Sequence, residues 1–533
     1  MAEGVEGRTA LHRAKTAEEA DKVIEREPGC MGKRDALGLL AIHLAASRSS
    51  YKHVRLLVEM GEDPFGRSAS GKTPAHFAAA AGNTAALGPL LLDNEGKAAN
   101  MTDNHGCSPL HYAAMFNHYP AMLQLIKAGA TSDLVDNYGR NAMHYVCNHD
   151  CPEAISTLVE RGGVDVNAKD MHGNTALHVA AACGQMRVLN ELVNLKANMT
   201  ALNKEGHIPM HVAVLAGQAK ILHKFLSLAV PVDFPSPKTN NTALYCAALI
   251  GRSDIIQLLV QLDAEVFMEC DRSETPLHAA ATHGHLECVK SLVEIGANVT
   301  VEDQFGQTPL HKAAMNGHAD IVEFLVRKAP HTVKYRDNRQ LTPMGLAAKY
   351  RHIRCLEKLM QKEATSAVWK DKRGRTKLHW AACAGYEQLV RTLLSKEAAV
   401  PVNQPDRDKR TPLLWAISCA DPDTVRALLE HGANITAPDG ERNTPIHYAA
   451  AKGDANLLHM MLGARSNVAE LNNQNADGET ALHWAVKHNR VECARFLLER
   501  GGDKSVQDAR GESPVDIAHK EHLDALIDLF AES

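Results

Sequence analysis

The stretch Asp271–Val299 reads DRSETPLHAAATHGHLECVKSLVEIGANV, and its core Thr275-Pro276-Leu277-His278 starts again 33 residues on as Thr308-Pro309-Leu310-His311. Thr275 suits an N-cap, because its hydroxyl can accept a free N–H of a first helical turn. Pro276 suits the first helical position, where the missing N–H costs nothing. Leu277, Ala279, Ala280 and Ala281 then make a short helix of small residues, which lets neighbours approach closely. Gly284 breaks the chain. A second helix follows with Cys288, Val289, Leu292 and Val293 on one face, and Gly296 ends it.

Working outward, the same register gives sixteen starts, at Thr9, Leu40, Thr73, Ser108, Asn141, Thr175, Ile208, Thr242, Thr275, Thr308, Thr342, Thr376, Thr411, Thr444, Thr480 and Ser513. Between them recurs Asp-x-x-Gly-x-Thr, as in Asp170-Met171-His172-Gly173-Asn174-Thr175, with Gly two residues before the tetrad in eleven of the sixteen. A Gly there permits the positive φ of a tight hairpin turn. Tetrad, break and period together resemble the ankyrin repeat closely, from about Gly7 to the end. The resemblance implies an all-α solenoid of helix-turn-helix units with projecting β-hairpin fingers, curved, with a concave inner face. It also implies that the tetrad histidine bonds the threonine hydroxyl and the backbone of an adjacent repeat.

The expected organisation is one array over 1–533, with a first repeat at about 7–38, a last at about 505–533 acting as a cap, and an irregular junction at 230–241. That junction carries Pro231, Pro235 and Pro237, with Asn240 where Gly usually stands. Tyr245, Gly345, Leu414 and Asp516 replace the tetrad histidine, so four repeats are expected to lose its bond.

Composition excludes several functions. Hydrophobic residues are 45% and charged residues 23% of the 533, as in a folded domain, and net charge is −5, which favours neither nucleic acid nor an anionic membrane. No apolar stretch approaches the roughly 20 residues of a membrane helix, and the first residues lack a signal-peptide core. Cys288, Cys355 and Cys493 share one repeat position, 13 residues after the start, so the 12 cysteines read as core packing in a reducing compartment rather than a disulfide framework. The expected location is the cytoplasm, or the nucleus, a cilium or a membrane surface reached through partners.

Twelve of the 29 histidines hold the fourth tetrad position and read as structural. Cys147-Asn148-His149-Asp150-Cys151 is the most metal-like cluster, yet no second Cys/His pair stands at zinc-finger spacing, and no metal or cofactor is expected. No phosphate loop, nucleophile elbow or kinase motif occurs, so the chain reads as non-enzymatic.

The resemblance sets the residue just after the tetrad on the concave side. Two aromatic runs stand there: Phe77, Tyr112, Tyr145, and Trp380, Trp415, Tyr448, Trp484. Aromatics there also serve packing between first helices; a contiguous row of four favours a binding surface. Beside the second run lie basic turns: Lys334, Arg336, Arg339; Lys370, Lys372, Arg373, Arg375; Arg407, Lys409, Arg410. Interleaved aspartates partly offset them. Aromatics and arginines together would grip an extended peptide, acidic and apolar by turns.

Asn100, Asn167, Asn403 and Asn472 stand eight residues before a start; the resemblance marks Asn100, with Leu92 upstream, as a candidate for oxygen-dependent hydroxylation, against a plain turn-stabilising role. The function expected is a scaffold or adaptor resembling inversin-type scaffolds and phosphatase regulatory ankyrin subunits. Its partners would be other proteins, among them kinase, phosphatase, cytoskeletal or membrane-associated complexes. The alternatives are recognition of a phosphoinositide or nucleic acid by the basic turns of repeats eleven to thirteen, and a mechanical spacer.

Overall fold

The computed structural model describes residues 7–48, 50–92, 96–362, 370–371, 373–396, 401–419, 421–463 and 468–532. Among them, a helix pair follows each of the sixteen predicted starts, from Ala10–Arg13 with Ala17–Arg26 to Pro514–Lys520 with Asp524–Glu532. The chain divides into two units, Met1–Asp271 and Arg272–Ser533, with eight helix pairs each.

The quoted stretch folds as its chemistry dictates. Pro276–His283 and Leu286–Glu294 are its two helices. Gly284 adopts φ +82° between them, and a Cβ there would lie 2.5 Å from the His318 ring of the next repeat. Leu277, Ala279, Ala280, Ala281, Cys288, Val289 and Leu292 are buried. The small residues allow each first helix to pack on the first helix of the next repeat within each unit.

Hydrogen bonds fix the spacing between repeats. His278 Nδ1 accepts from Thr275 N at 3.2 Å and lies 2.9 Å from the Thr275 hydroxyl; its Nε2 reaches Gln307 O of the next repeat at 3.0 Å. The same arrangement holds at His76, His111, His178, His379, His447 and His483. A backbone N–H aimed at Nδ1 selects the neutral tautomer that donates from Nε2. Burial pushes His43, His76, His178, His211 and His311 down to about 4, which keeps them neutral.

The four expected losses resolve into three kinds. Asp516 keeps the bond in another form, since its Oδ2 accepts from Ser513 N at 2.9 Å and from the Ser513 hydroxyl at 2.6 Å. Tyr245 and Gly345 leave Thr242 and Thr342 accepting only a backbone N–H. Leu414 leaves the buried Thr411 hydroxyl without a partner.

The turns between repeats are tight loops, and the described residues contain no β-strand, only one isolated bridge between Lys370 and Thr376. In the turn from Asp103, Oδ1 accepts from His105 N and Cys107 N, and Gly106 N donates to Asp103 O. One backbone bond ties successive turns, such as Asn137 N to His105 O at 2.9 Å and Arg407 N to Arg373 O at 2.8 Å. The residue two before the tetrad is left-handed in every repeat, including the five without Gly: Asn240, Ser273, Gln340, Lys409 and Arg442 have φ between 52° and 65°. The 236–241 turn is one residue longer, closing through Ser236 N to Asn241 O instead of the usual four-residue reach. Next to it, His211 Nε2 has no partner.

Candidate functional site

In five repeats the polar tip of the aromatic residue after the tetrad meets a carboxylate of its own repeat's turn, nine residues earlier in four of them and five residues earlier at Trp484. Tyr112 OH donates to Asp103 Oδ2 at 2.8 Å, Tyr145 OH to Asp136 Oδ2 at 2.6 Å, and Tyr448 OH to Asp439 Oδ2 at 2.7 Å. Trp415 Nε1 donates to Asp406 Oδ2 at 3.2 Å, and Trp484 Nε1 to Glu479 Oε2 at 2.6 Å. Burial alone would raise the Asp439 carboxyl; Tyr448 and the backbone of Asn443 hold it below its ordinary value. Burial and then the carboxylate push the Tyr448 hydroxyl up to about 12. Sequence reasoning missed this link, although its signal, an acid nine residues before an aromatic, is readable.

The rings also lock onto the preceding repeat. His43 meets Phe77 edge-on at 5.4 Å, His76 meets Tyr112 at 5.6 Å, and His447 meets Trp484 at 5.7 Å. Trp380 packs on Trp415 at 5.5 Å and Tyr448 on Trp484 at 5.4 Å.

These contacts correct part of the expected surface. Trp380 is buried, 1% exposed, and Tyr112 and Tyr145 are 8% and 5% exposed, so these three are interior packing groups. Trp380 enters because Gly345 makes room: a Cβ on Gly345 would stand 2.8 Å from Trp380 Cη2. Arg375 is also interior, 3% exposed, with Nε 2.7 Å from Asp371 Oδ2 and its guanidinium 4.1 Å from the Trp380 ring centre. Its charge is spent on Asp371 and the rings. Phe77, Trp415, Tyr448 and Trp484 stay half-buried, and Arg373 and Arg410 are exposed. Lys334, Arg339, Lys370, Arg407 and Lys409 are exposed as well, and Arg336 is half-buried. Lys372 lies outside the described residues.

Asn100 bridges two repeats: Nδ2 donates to Gly96 O and Gly129 O at 2.9 Å, and Oδ1 accepts from Thr131 N at 2.7 Å. Asn167, Asn403 and Asn472 accept from the equivalent N–H of the next repeat at 2.7–2.9 Å. The metal-like cluster does not converge. Cys147 is fully buried, and His149 Nε2 is held by Met115 O at 2.8 Å. No group of three metal-binding side chains occurs among the described residues. All 12 cysteines are unbridged, and Cys288, Cys355 and Cys493 are in the core. No described helix is long and apolar enough to cross a membrane.

A family model described as Ankyrin repeats (3 copies) matches seven overlapping stretches, 42–136, 75–170, 121–203, 210–303, 277–368, 365–439 and 437–508. The chain belongs to the ankyrin-repeat family. It is similar to the Transient receptor potential cation channel subfamily A member 1 of Drosophila melanogaster, 40% identical over 166 residues, covering 28% of this chain and 13% of the relative. It is similar to Inversin of Mus musculus, 26% identical over 142 residues, covering 21% and 13%. Among solved structures, the human ASB11 ankyrin repeat domain aligns at 23% identity and TM-score 0.39, over 43% of this chain and all of that one. The ankyrin repeat domain of Bcl-3 aligns at 27% and 0.35, over 39% and 94%. The chain thus spans about an eighth of the length of either relative. Ankyrin repeats are in general protein–protein interaction modules, and no catalytic family is indicated.

Proposed function

We propose that this chain is a non-enzymatic scaffold or adaptor whose partner protein lies along the concave face and the turns of repeats thirteen to fifteen. The observation that carries the reading is the consecutive set Trp415, Tyr448 and Trp484. Each is pinned at its polar tip to a turn carboxylate and remains half-buried rather than sealed. Rigid aromatics with one face to solvent lose little entropy on binding, which makes them good anchors. Arg373 and Arg410 stand exposed on the turns beside them and suit acidic groups of the partner. Phe77 offers a second, smaller anchor in the first unit. A single array from 1 to 533, with projecting hairpins and a curved inner face, belongs to the same proposal and rests on the sequence register.

Affinity purification compares the intact chain with a variant carrying Trp415→Ala, Tyr448→Ala and Trp484→Ala, with thermal melts of both. The reading expects specific partners to vanish while the variant stays folded; partners retained by a folded variant would contradict it. If instead retention on anionic vesicles or RNA falls steeply with salt, the exposed basic turns bind an anionic ligand and the alternative stands. Hydroxylation at Asn100 remains part of the proposal, and is read by mass spectrometry as one added oxygen on its peptide.

A further inference from the structure

Two thiols meet where repeat twelve packs on repeat thirteen. Cys383 stands near the end of the first helix Lys377–Ala384, and Cys419 is the last residue of the next first helix, Pro412–Cys419. Cys383 Sγ donates to Cys419 Sγ at 3.9 Å, and both residues are half-buried and unbridged. In this they differ from Cys288, Cys355 and Cys493, which are sealed in the core.

A cation is built into the same junction. At other repeats a side chain of the next repeat donates to a carbonyl near the end of the first helix: His118 Nε2 reaches Ala80 O at 3.1 Å, and His318 Nε2 reaches Thr282 O at 3.0 Å. In repeat thirteen that position is Asp421, whose carboxylate can only accept. Arg351 of repeat eleven takes over, with Nε 3.1 Å from Ala384 O and Nη2 3.6 Å from Asp421 Oδ1. The hydrogen bond from Cys383, and then the Arg351 and Lys452 cations, hold the Cys419 thiol below its ordinary value, against burial and Asp421. Donating that bond pushes the Cys383 thiol up. A thiolate with a second thiol poised beside it is the chemistry of a peroxide-sensitive cysteine and its resolving partner.

We propose that Cys383 and Cys419 form a modification site at which hydrogen peroxide joins repeats twelve and thirteen by a disulfide. Cys419 Sγ, as thiolate, attacks one peroxide oxygen. The S–O bond forms, the O–O bond breaks, and the departing hydroxide takes up the proton that Cys419 released. Cys383 then loses its proton and attacks the Cys419 sulfur. The S–S bond forms, the S–O bond of the sulfenic acid breaks, and the second hydroxide leaves with that proton. The two thiols lose two electrons, and one peroxide becomes two waters. The sulfurs have to close from 3.9 Å to the ~2 Å of a disulfide. A thiol reductant reverses the link. The bridge sits one helical turn beyond Trp380 and Trp415, whose rings pack at 5.5 Å, and would fix the spacing of the two helices that carry them. The inference stands apart from the adaptor reading.

The test exposes the full reduced chain to graded hydrogen peroxide, blocks the remaining thiols with N-ethylmaleimide and reads the unreduced digest by mass spectrometry. The expected result is a linked pair of peptides carrying Cys383 and Cys419, two hydrogens lighter than their sum and split by dithiothreitol. It should form at peroxide levels that leave the exposed Cys183 blocked as a free thiol. Cys383→Ser should lose the link and leave a sulfenic acid at Cys419 that dimedone traps. Cys419→Ser should lose the link and give no dimedone adduct at Cys383, with melts of both variants matching the parent. The parent chain decides the matter without either variant. Failure of the link at every peroxide level, a bridge from either cysteine to a third, or a link that forms only after Cys183 is oxidised would overturn the proposal.

Discussion

Thr308 and Thr411 occupy the same repeat position in different circumstances. The Thr308 hydroxyl lies 2.9 Å from His311 Nδ1, whereas the Thr411 hydroxyl is buried without a partner because Leu414 stands in the histidine's place. Thr308→Val should therefore destabilise by about 1 kcal/mol, and Thr411→Val should be neutral or stabilising, read as shifts in urea midpoint. Equal losses at both positions would contradict the bonding assigned here. Gly345 poses a second residue-scale test. Alanine normally favours a helix over glycine by up to ~1 kcal/mol. Here its Cβ would press on Trp380 at 2.8 Å, so Gly345→Ala should destabilise by about 1–3 kcal/mol. The histidine roles were readable from the tetrad, and Gly345 was read only as the loss of a histidine's bond. The fate of Trp380 was not legible, because its burial depends on a missing side chain one repeat away. Arg375 misled for a similar reason, since a charge run in sequence looks solvated until a neighbouring carboxylate and two rings enclose it.

At the scale of the element, the turn before each tetrad sets the strictest demand. Eleven repeats meet the left-handed position with Gly; Lys409 and Arg442 meet it at φ 57° and 65°. A side chain there costs roughly 1–2 kcal/mol, part of which glycine gives back as unfolded-state entropy. Lys409→Gly should accordingly raise stability by about 0.5–1 kcal/mol in a urea melt. An unchanged or lower midpoint would mean that the turn relaxes in solution. Helix positions, breaks and these turns were legible because each depends on residues close in sequence. The bond from turn carboxylate to post-tetrad ring was legible in principle, as a spacing of nine. The orphaned His211 beside the longer 236–241 turn was not, since it follows from a register change in the next repeat.

Across the whole molecule, the tetrad histidines couple stability to pH. His43, His76, His178, His211 and His311 fall from 6.5 to about 4 on folding because burial disfavours their charged form. The unfolded chain thus binds the proton first. Their stabilising contribution is complete above pH 6.5 and is lost as pH falls from 6.5 towards 4, by about 1.4 kcal/mol per unit for each histidine. The melting temperature should drop steadily across that window; a flat profile between pH 7 and 5 would contradict the neutral, buried assignment. The histidines thus belong to the frame that holds the repeats in register, and the proposed function assigns recognition to the half-buried row. Amide hydrogen exchange of the chain, alone and with its purified partner protein, tests that division most directly. The account predicts protection concentrated in 406–419, 439–453 and 475–490, which carry Trp415, Tyr448 and Trp484. Protection confined to the second helices, Pro422–Glu430, Ala455–Leu462 and Val491–Glu499, would contradict it.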